Sequence, residues 1–305
     1  MSSVLTEPLG PRGLRRVRIA TIVASLLLAV FIGWLLLRLL SEGQFSSGLW
    51  SQFWDFESEW PQFLVTGMWG TIRVAVVAMI IAATLGLVLA LGRLSRIAPV
   101  RWISGLIVDV FRGPPVLLFI FFSWLALPQL LPDAIGTQIS REPLYALVIG
   151  LAAYNMAVLA EIYRAGILSL DRGQGEAGQT IGLTHSQNMR IIILPQALRR
   201  MIPAIVAQLA TLTKDTALGY IVTVSADLMG RARSFAQGGP SNDLQTYFIV
   251  GVLYFIIVWT LTRGARRLEV IQRQKFGGGA IKVQGEADLD TVAEDADEKT
   301  ASAKA

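Results

Sequence analysis

The chain has 305 residues, of which 53% are hydrophobic and 16% charged, against about a quarter charged in a soluble domain. It has no cysteine and one histidine, His185, which excludes disulfides, thiolate metal sites and cysteine nucleophiles and argues against a histidine zinc site or a Ser-His-Asp triad. The net charge of +5 informs by location, because membrane proteins place Lys and Arg on the cytoplasmic side.

Residues 1–18 are basic, with Arg12, Arg15, Arg16 and Arg18, and an apolar run follows over 19–40. That run is longer than the apolar part of a signal peptide, so it reads as a retained first span. Residues 41–60 carry Glu42, Asp55, Glu57 and Glu59 with no Lys or Arg. Trp50, Trp54 and Trp60 sit there as interfacial aromatics do, which places the segment outside. A second span is expected over 61–91, long enough to tilt. Arg93, Arg96 and Arg101 mark a cytoplasmic loop, and a third span follows over 102–127, with a helix start or kink at Gly113-Pro114-Pro115. Residues 128–143 read as an outer loop, 144–162 as the fourth span, and 164–200 as a polar inner segment. The fifth span, 201–224, is interrupted by Lys214-Asp215-Thr216. The sixth, 245–261, ends at Arg263, Arg266 and Arg267. The fold class is therefore all-α, a polytopic membrane protein of about six transmembrane helices with both termini inside. Arg231 and Arg233 alone fall on the wrong side. Residues 276–305 are Gly-rich, then acidic, and too poor in apolar residues to pack, so they read as a disordered cytoplasmic tail.

An inner loop of this length is unusual unless it has a task. Residues 173–181 can form a short helix closed by Gly182, which suits the position just past a helix end. Thr184 and Gln187 have capping-box spacing for a second helix. Ile191, Ile192, Ile193 and Leu194 follow, and Pro195 interrupts the run, suiting the first turn of a third helix. The product is a helical hairpin at the membrane surface, able either to dock on another protein or to pack on its own bundle.

The pattern Glu176-Ala177-Gly178, Gly182, Ile192 and Leu194-Pro195 resembles the EAA loop of ABC importer permeases, with Gly178 where the family usually has Ala. Thr66-Gly67-Met68-Trp69-Gly70-Thr71, Phe111-Arg112-Gly113-Pro114-Pro115, Glu161-Ile162-Tyr163-Arg164-Ala165-Gly166-Ile167, Leu194-Pro195-Gln196-Ala197 and Lys214-Asp215-Thr216 resemble the polar amino acid branch, which serves histidine, arginine, glutamine and glutamate. The likeness covers residues 61–275, leaving out the first span and the acidic tail. It implies a type I ABC importer permease fold, with residues 173–198 as the coupling loop to an ATPase. It implies Glu176, Ala177, Gly178, Gly182, Ile192, Leu194 and Pro195 as the coupling residues. The implied partners are a cytoplasmic ATP-binding dimer, a second permease subunit, like or unlike this one, and an external substrate-binding protein, in the plasma membrane of a prokaryote. Nothing points to nucleic acid.

Charges inside spans are costly and so are functional candidates. Arg73, Asp109, Arg112, Glu161, Arg164, Lys214 and Asp215 qualify. Asp109 with Arg112, and Glu161 with Arg164, are three apart and can meet on one helix face. Arg112, Glu161, Lys214, Asp215 and Thr216 are the candidates for a substrate path or gate; structural ion pairing is the alternative for each. The chain lacks G-x-x-x-x-G-K-[ST], so it binds no ATP through a P-loop. No cofactor is expected on this chain, and ATP and magnesium belong to the partner. An ion-coupled secondary transporter is the alternative function, although the internal repeat common in such proteins is not evident. A membrane enzyme ranks last, because no nucleophile–base pair or metal cluster stands out.

Overall fold

The computed structural model describes residues 10–54, 60–222, 227–238 and 242–276. Asp55, Glu57, Glu59 and the acidic tail lie outside the described residues. Among the described residues every regular element is helical.

α1 (Pro11–Ser41) starts at a proline, which lacks the amide proton a first turn leaves unused, and runs for 31 residues. Its apolar side chains face outward all round and none of its apolar window is buried, as suits a helix solvated by lipid. α2 (Ser47–Trp54) leads to α3 (Trp60–Arg93). Trp60 is only 2% exposed. It packs on Phe235 at 4.4 Å and Phe53 at 4.7 Å between ring centres. The interfacial reading of Trp60 is therefore corrected: it anchors an aromatic cluster inside the protein.

α3 and α8 (Pro143–Leu168) form the central pair. Along α3, Val74, Ala78, Ala82, Gly86 and Ala90 are buried at four-residue intervals. In lipid, helices gain little by hiding apolar surface from one another, so small residues that let backbones approach decide the pairing. A Cβ on Gly86 would stand 2.7 Å from the Met156 carbonyl oxygen, and one on Gly150 would stand 2.6 Å from Ile120 Cα.

The expected third span is not one straight helix. α4 (Ala98–Arg112) and α5 (Val116–Phe121) meet at 98° across Gly113-Pro114-Pro115. The two prolines lack amide protons and push the preceding residue out of the α region. After α5, a π-turn (Phe122–Ala126) leads into α6 (Leu127–Leu130), then α7 (Asp133–Arg141) and α8. Among the described residues, five helices are long and apolar enough to cross a membrane, or six if the bent pair is one span.

Beyond α8 come α9 (Arg172–Thr180), α10 (His185–Asn188), a second π-turn (Met189–Ile193) and α11 (Leu194–Asp215). α11 passes into a 3-10 segment (Thr216–Val222). α12 (Leu228–Gly238) and α13 (Asp243–Phe276) are the last of the described elements. The fifth span thus changes helix type at Lys214-Asp215-Thr216, where the sequence suggested an interruption. It also begins earlier than expected, because helix extends through Leu194. The two inconvenient arginines are accommodated by the protein: Arg231 lies over the Phe63 ring at 5.6 Å, and Arg233 donates to the Tyr220 carbonyl at 3.0 Å.

Candidate functional site

The hairpin α9–α10 is built from local chemistry. The Asp171 carboxylate accepts from the Gly173 amide at 3.0 Å and starts α9. At the far end, the Leu183 amide donates to the Gly178 carbonyl and the Gly182 amide to the Gln179 carbonyl. This is a Schellman closure, and Gly182 holds the left-handed conformation, φ 85°, that it requires. Thr184 and Gln187 form the full capping box: the Gln187 amide donates to Thr184 Oγ1 and the Thr184 amide to Gln187 Oε1.

Asn188, which the sequence reading did not single out, closes the hairpin. It is 2% exposed, and its Nδ2 donates to the Gly175 carbonyl at 2.7 Å. Gly178 faces it so closely that any Cβ there would strike the Asn188 amide group. The departure from Ala at this position therefore has a steric cause. Gln196 donates to Gln174 at 3.3 Å and ties α9 to α11.

Pro195 stands in the first turn of α11, as its position in the sequence suggested, but the helical path is not interrupted before it. An α-helix would leave the Ile191 carbonyl without its amide donor at residue 195. Instead the Leu194 amide reaches five residues back to the Met189 carbonyl, and this π-turn lets the helix continue through the proline. The same device precedes Leu127-Pro128, where the Leu127 amide donates to the Phe122 carbonyl. Of the expected coupling residues, Glu176, Ala177, Gly182 and Pro195 are exposed, Gly178 is buried, and Ile192 and Leu194 are half-buried. Ile181 and Ile191 stand out at 73% and 62% exposure.

A charge cluster lies at the hairpin end of the bundle. Glu161 on α8 pairs with Arg164 at 2.9 Å, with Arg112 at 3.6 Å and with Arg93. Arg112 also meets Asp109 at 3.1 Å. Both three-residue pairs read from the sequence are therefore present. The network is larger, because Arg93, taken as a loop marker, turns inward to Glu161. Nothing in local sequence spacing connects residues 93 and 161. Arg73 is exposed on α3, and His185 is half-buried in the hairpin.

Lys214 is exposed, Asp215 half-buried and Thr216 buried. Thr216 belongs to a second polar cluster at the opposite end, also missed by the sequence reading. There the Asp227 carboxylate caps α12, accepting from the Gly230 and Met229 amides at 3.1 and 3.3 Å. The Tyr254 hydroxyl lies 3.4 Å from Thr216 Oγ1. Thr71 Oγ1 accepts from the Leu228 amide at 3.0 Å. Burial pushes the Asp227 carboxyl up to about 6, against the lowering effect of its amide donors. An Asp immediately before Leu228 is a start signal for a helix, and could have identified it. Between the clusters, Gln208 on α11 donates to the fully buried Asn155 at 2.7 Å. Among the described residues no group of acids and histidines could hold a metal ion.

Comparison with known proteins places this architecture. Residues 82–268 match the family described as binding-protein-dependent transport system inner membrane component. The chain is 34% identical over 242 residues to a glutamate transport system permease protein of Corynebacterium glutamicum, covering 79% of this chain and 84% of the relative. It is 37% identical over 210 residues to an arginine transport system permease protein of Bacillus subtilis, covering 68% and 92%. Among solved structures, an amino acid ABC transporter crystallised with histidines aligns with a TM-score of 0.60 at 27% identity, over 69% of this chain and 94% of that one.

Proposed function

Given that the chain belongs to the binding-protein-dependent transport system inner membrane components and is the permease subunit of an amino acid ABC importer, we propose that its α9–α10 hairpin is the docking element for a separate ATPase. The observation that carries this is the hairpin's construction. Caps at Asp171 and Thr184, the Asn188 latch and the π-turn fuse it to α11, while Glu176, Ala177, Ile181 and Ile191 face outward. A rigid lever with an apolar tip suits a groove on a soluble partner.

In this reading the hairpin end is cytoplasmic, as are both termini. An ATP-binding dimer with its ATP and magnesium sits beneath it, a second permease half completes the pathway, and an external binding protein delivers the substrate. ATP binding and hydrolysis shift the spans between inward-open and outward-open states through differential affinity for the two. Lys214, Asp215 and Thr216 line the path where α11 changes helix type, and the Glu161 cluster with Arg112 forms part of the inner gate. The substrate is a polar amino acid, with glutamate the first choice because a relative of that name aligns over most of the chain.

The test is ATP-dependent uptake in proteoliposomes containing the full transporter. Glu176→Lys should abolish uptake and stimulated ATP hydrolysis while leaving membrane insertion intact. Normal uptake in that variant would remove the docking role. Competition by unlabelled amino acids in the same assay identifies the substrate.

A further inference from the structure

The last helix carries a basic face that the transport reading does not use. Trp259, Thr262, Arg263, Arg266, Arg267, Val270 and Ile271 line a groove of about 460 Å³ along α13. Their spacing of three and four residues places them on one side of the helix. The Arg263 guanidinium lies over the Trp259 ring, 5.2 Å from its centre, which restrains it at the membrane-facing end of the groove. Among the described residues no ion pair engages Arg263, Arg266 or Arg267.

A second basic groove exists, lined by Arg93, Arg101, Trp102, Asp109 and Arg164. There Arg93 and Arg164 already face Glu161, and Asp109 adds its own negative charge. Among the described residues, those lining the α13 groove include no carboxylate.

Depth agrees with charge. From Asp243 at the start of α13 to Arg263 is a helical rise of roughly 30 Å, about the thickness of a hydrocarbon core. Arg263 therefore stands at its edge, and Arg266 and Arg267 one turn further, at the level of lipid phosphates. Trp259 and Phe255, 50% and 66% exposed, lie on the acyl side.

We infer that this groove is a binding site for the phosphate of an anionic phospholipid, with acyl chains along Phe255 and Trp259. Anionic headgroups are attracted to such clusters at the inner membrane surface.

The test is native mass spectrometry of the full-length chain released from bilayers of equal phosphatidylglycerol and phosphatidylcholine. The parent should retain phosphatidylglycerol preferentially. Arg263→Gln/Arg266→Gln/Arg267→Gln should lower that retention about tenfold or more, given the contribution of each arginine near a charged surface. Arg96→Gln/Arg101→Gln, at the same end, should change it little. Equal retention by the triple variant, or equal loss in the control, overturns the site. Displacement of the lipid by inorganic phosphate would assign the groove to a free anion instead. Retention that emerges only after removal of residues 277–305 would make the acidic tail its occupant.

Discussion

Gly178→Ala restores the residue usual in the EAA pattern, and we expect it to be harmful here. Alanine favours an exposed helix interior by about 1 kcal/mol over glycine. Against this, the new Cβ would lie 2.7 Å from Asn188 Cγ and 3.0 Å from Ile192 Cδ1, with the Asn188 amide oxygen closer still. Asn188 is 2% exposed and held by Gly175, so its side chain has little room to swing away. Overpacking costs about 1–3 kcal/mol, and a buried amide torn from its partner about 1–3 kcal/mol more. The net expectation is a hairpin weakened by roughly 3 kcal/mol, the propensity gain included. Hydrogen exchange on the amides of 172–193 measures this directly as faster local opening. Asn188→Ala in the same chain should recover much of the loss, because it removes the group that is struck. A double-mutant cycle should therefore show a coupling of about 1 kcal/mol or more. Unchanged protection in Gly178→Ala, or independent effects of the two substitutions, would refute the steric account.

The cap at Thr184 gives a smaller effect: Thr184→Ala should weaken the start of α10 by about 1 kcal/mol, with Thr184→Ser close to the parent, both read by exchange at the Gln187 amide. In the charge cluster, Arg93→Gln should lower the melting midpoint in detergent more than Arg112→Gln, because Arg93 is 19% and Arg112 50% exposed and water screens the latter; the reverse order would contradict the network. The Asp227 carboxyl is raised to about 6, so the folded state holds its proton more tightly than the unfolded chain. Its favourable contribution is present below the ordinary carboxyl range and lost as pH rises through about 6, a change of roughly 3 kcal/mol for about two units. Asp227→Asn should flatten the fall in melting midpoint between pH 4 and 7, and a parent whose stability rises across that interval would show that Asp227 is not its main titrating group.

Much of the architecture was legible because lipid enforces simple patterns. Apolar run length located α3, α8 and α13. Within the hairpin, Gly182, Thr184 and Gln187 were readable because caps are local chemistry, set within a few residues. What escaped was long in sequence separation. Glu161 meets Arg93 across 68 residues, and Gln208 meets Asn155 across 53; no spacing rule connects them. The 98° bend at Gly113-Pro114-Pro115 was readable as a break, but its angle depends on what packs against either arm. Pro195 was legible as the first turn of α11, but not as a continuation of the helical run before it. Proline reads as a stop, and only the hydrogen-bond ledger around Met189 and Leu194 reveals a five-residue step that carries the helix past it.

That five-residue step sets a phase as well as a continuation. Each residue in an α-helix turns the chain by about 100° and advances it about 1.5 Å. The π-turn at Met189–Ile193 absorbs one additional residue between hairpin and span. Losing that residue would leave every cap intact and the apolar composition unchanged. It would nonetheless rotate the outward face of Glu176 and Ile181 by more than a quarter turn relative to α11. The compass bearing of the hairpin, not only its shape, is therefore written in the count of residues between Asn188 and Pro195.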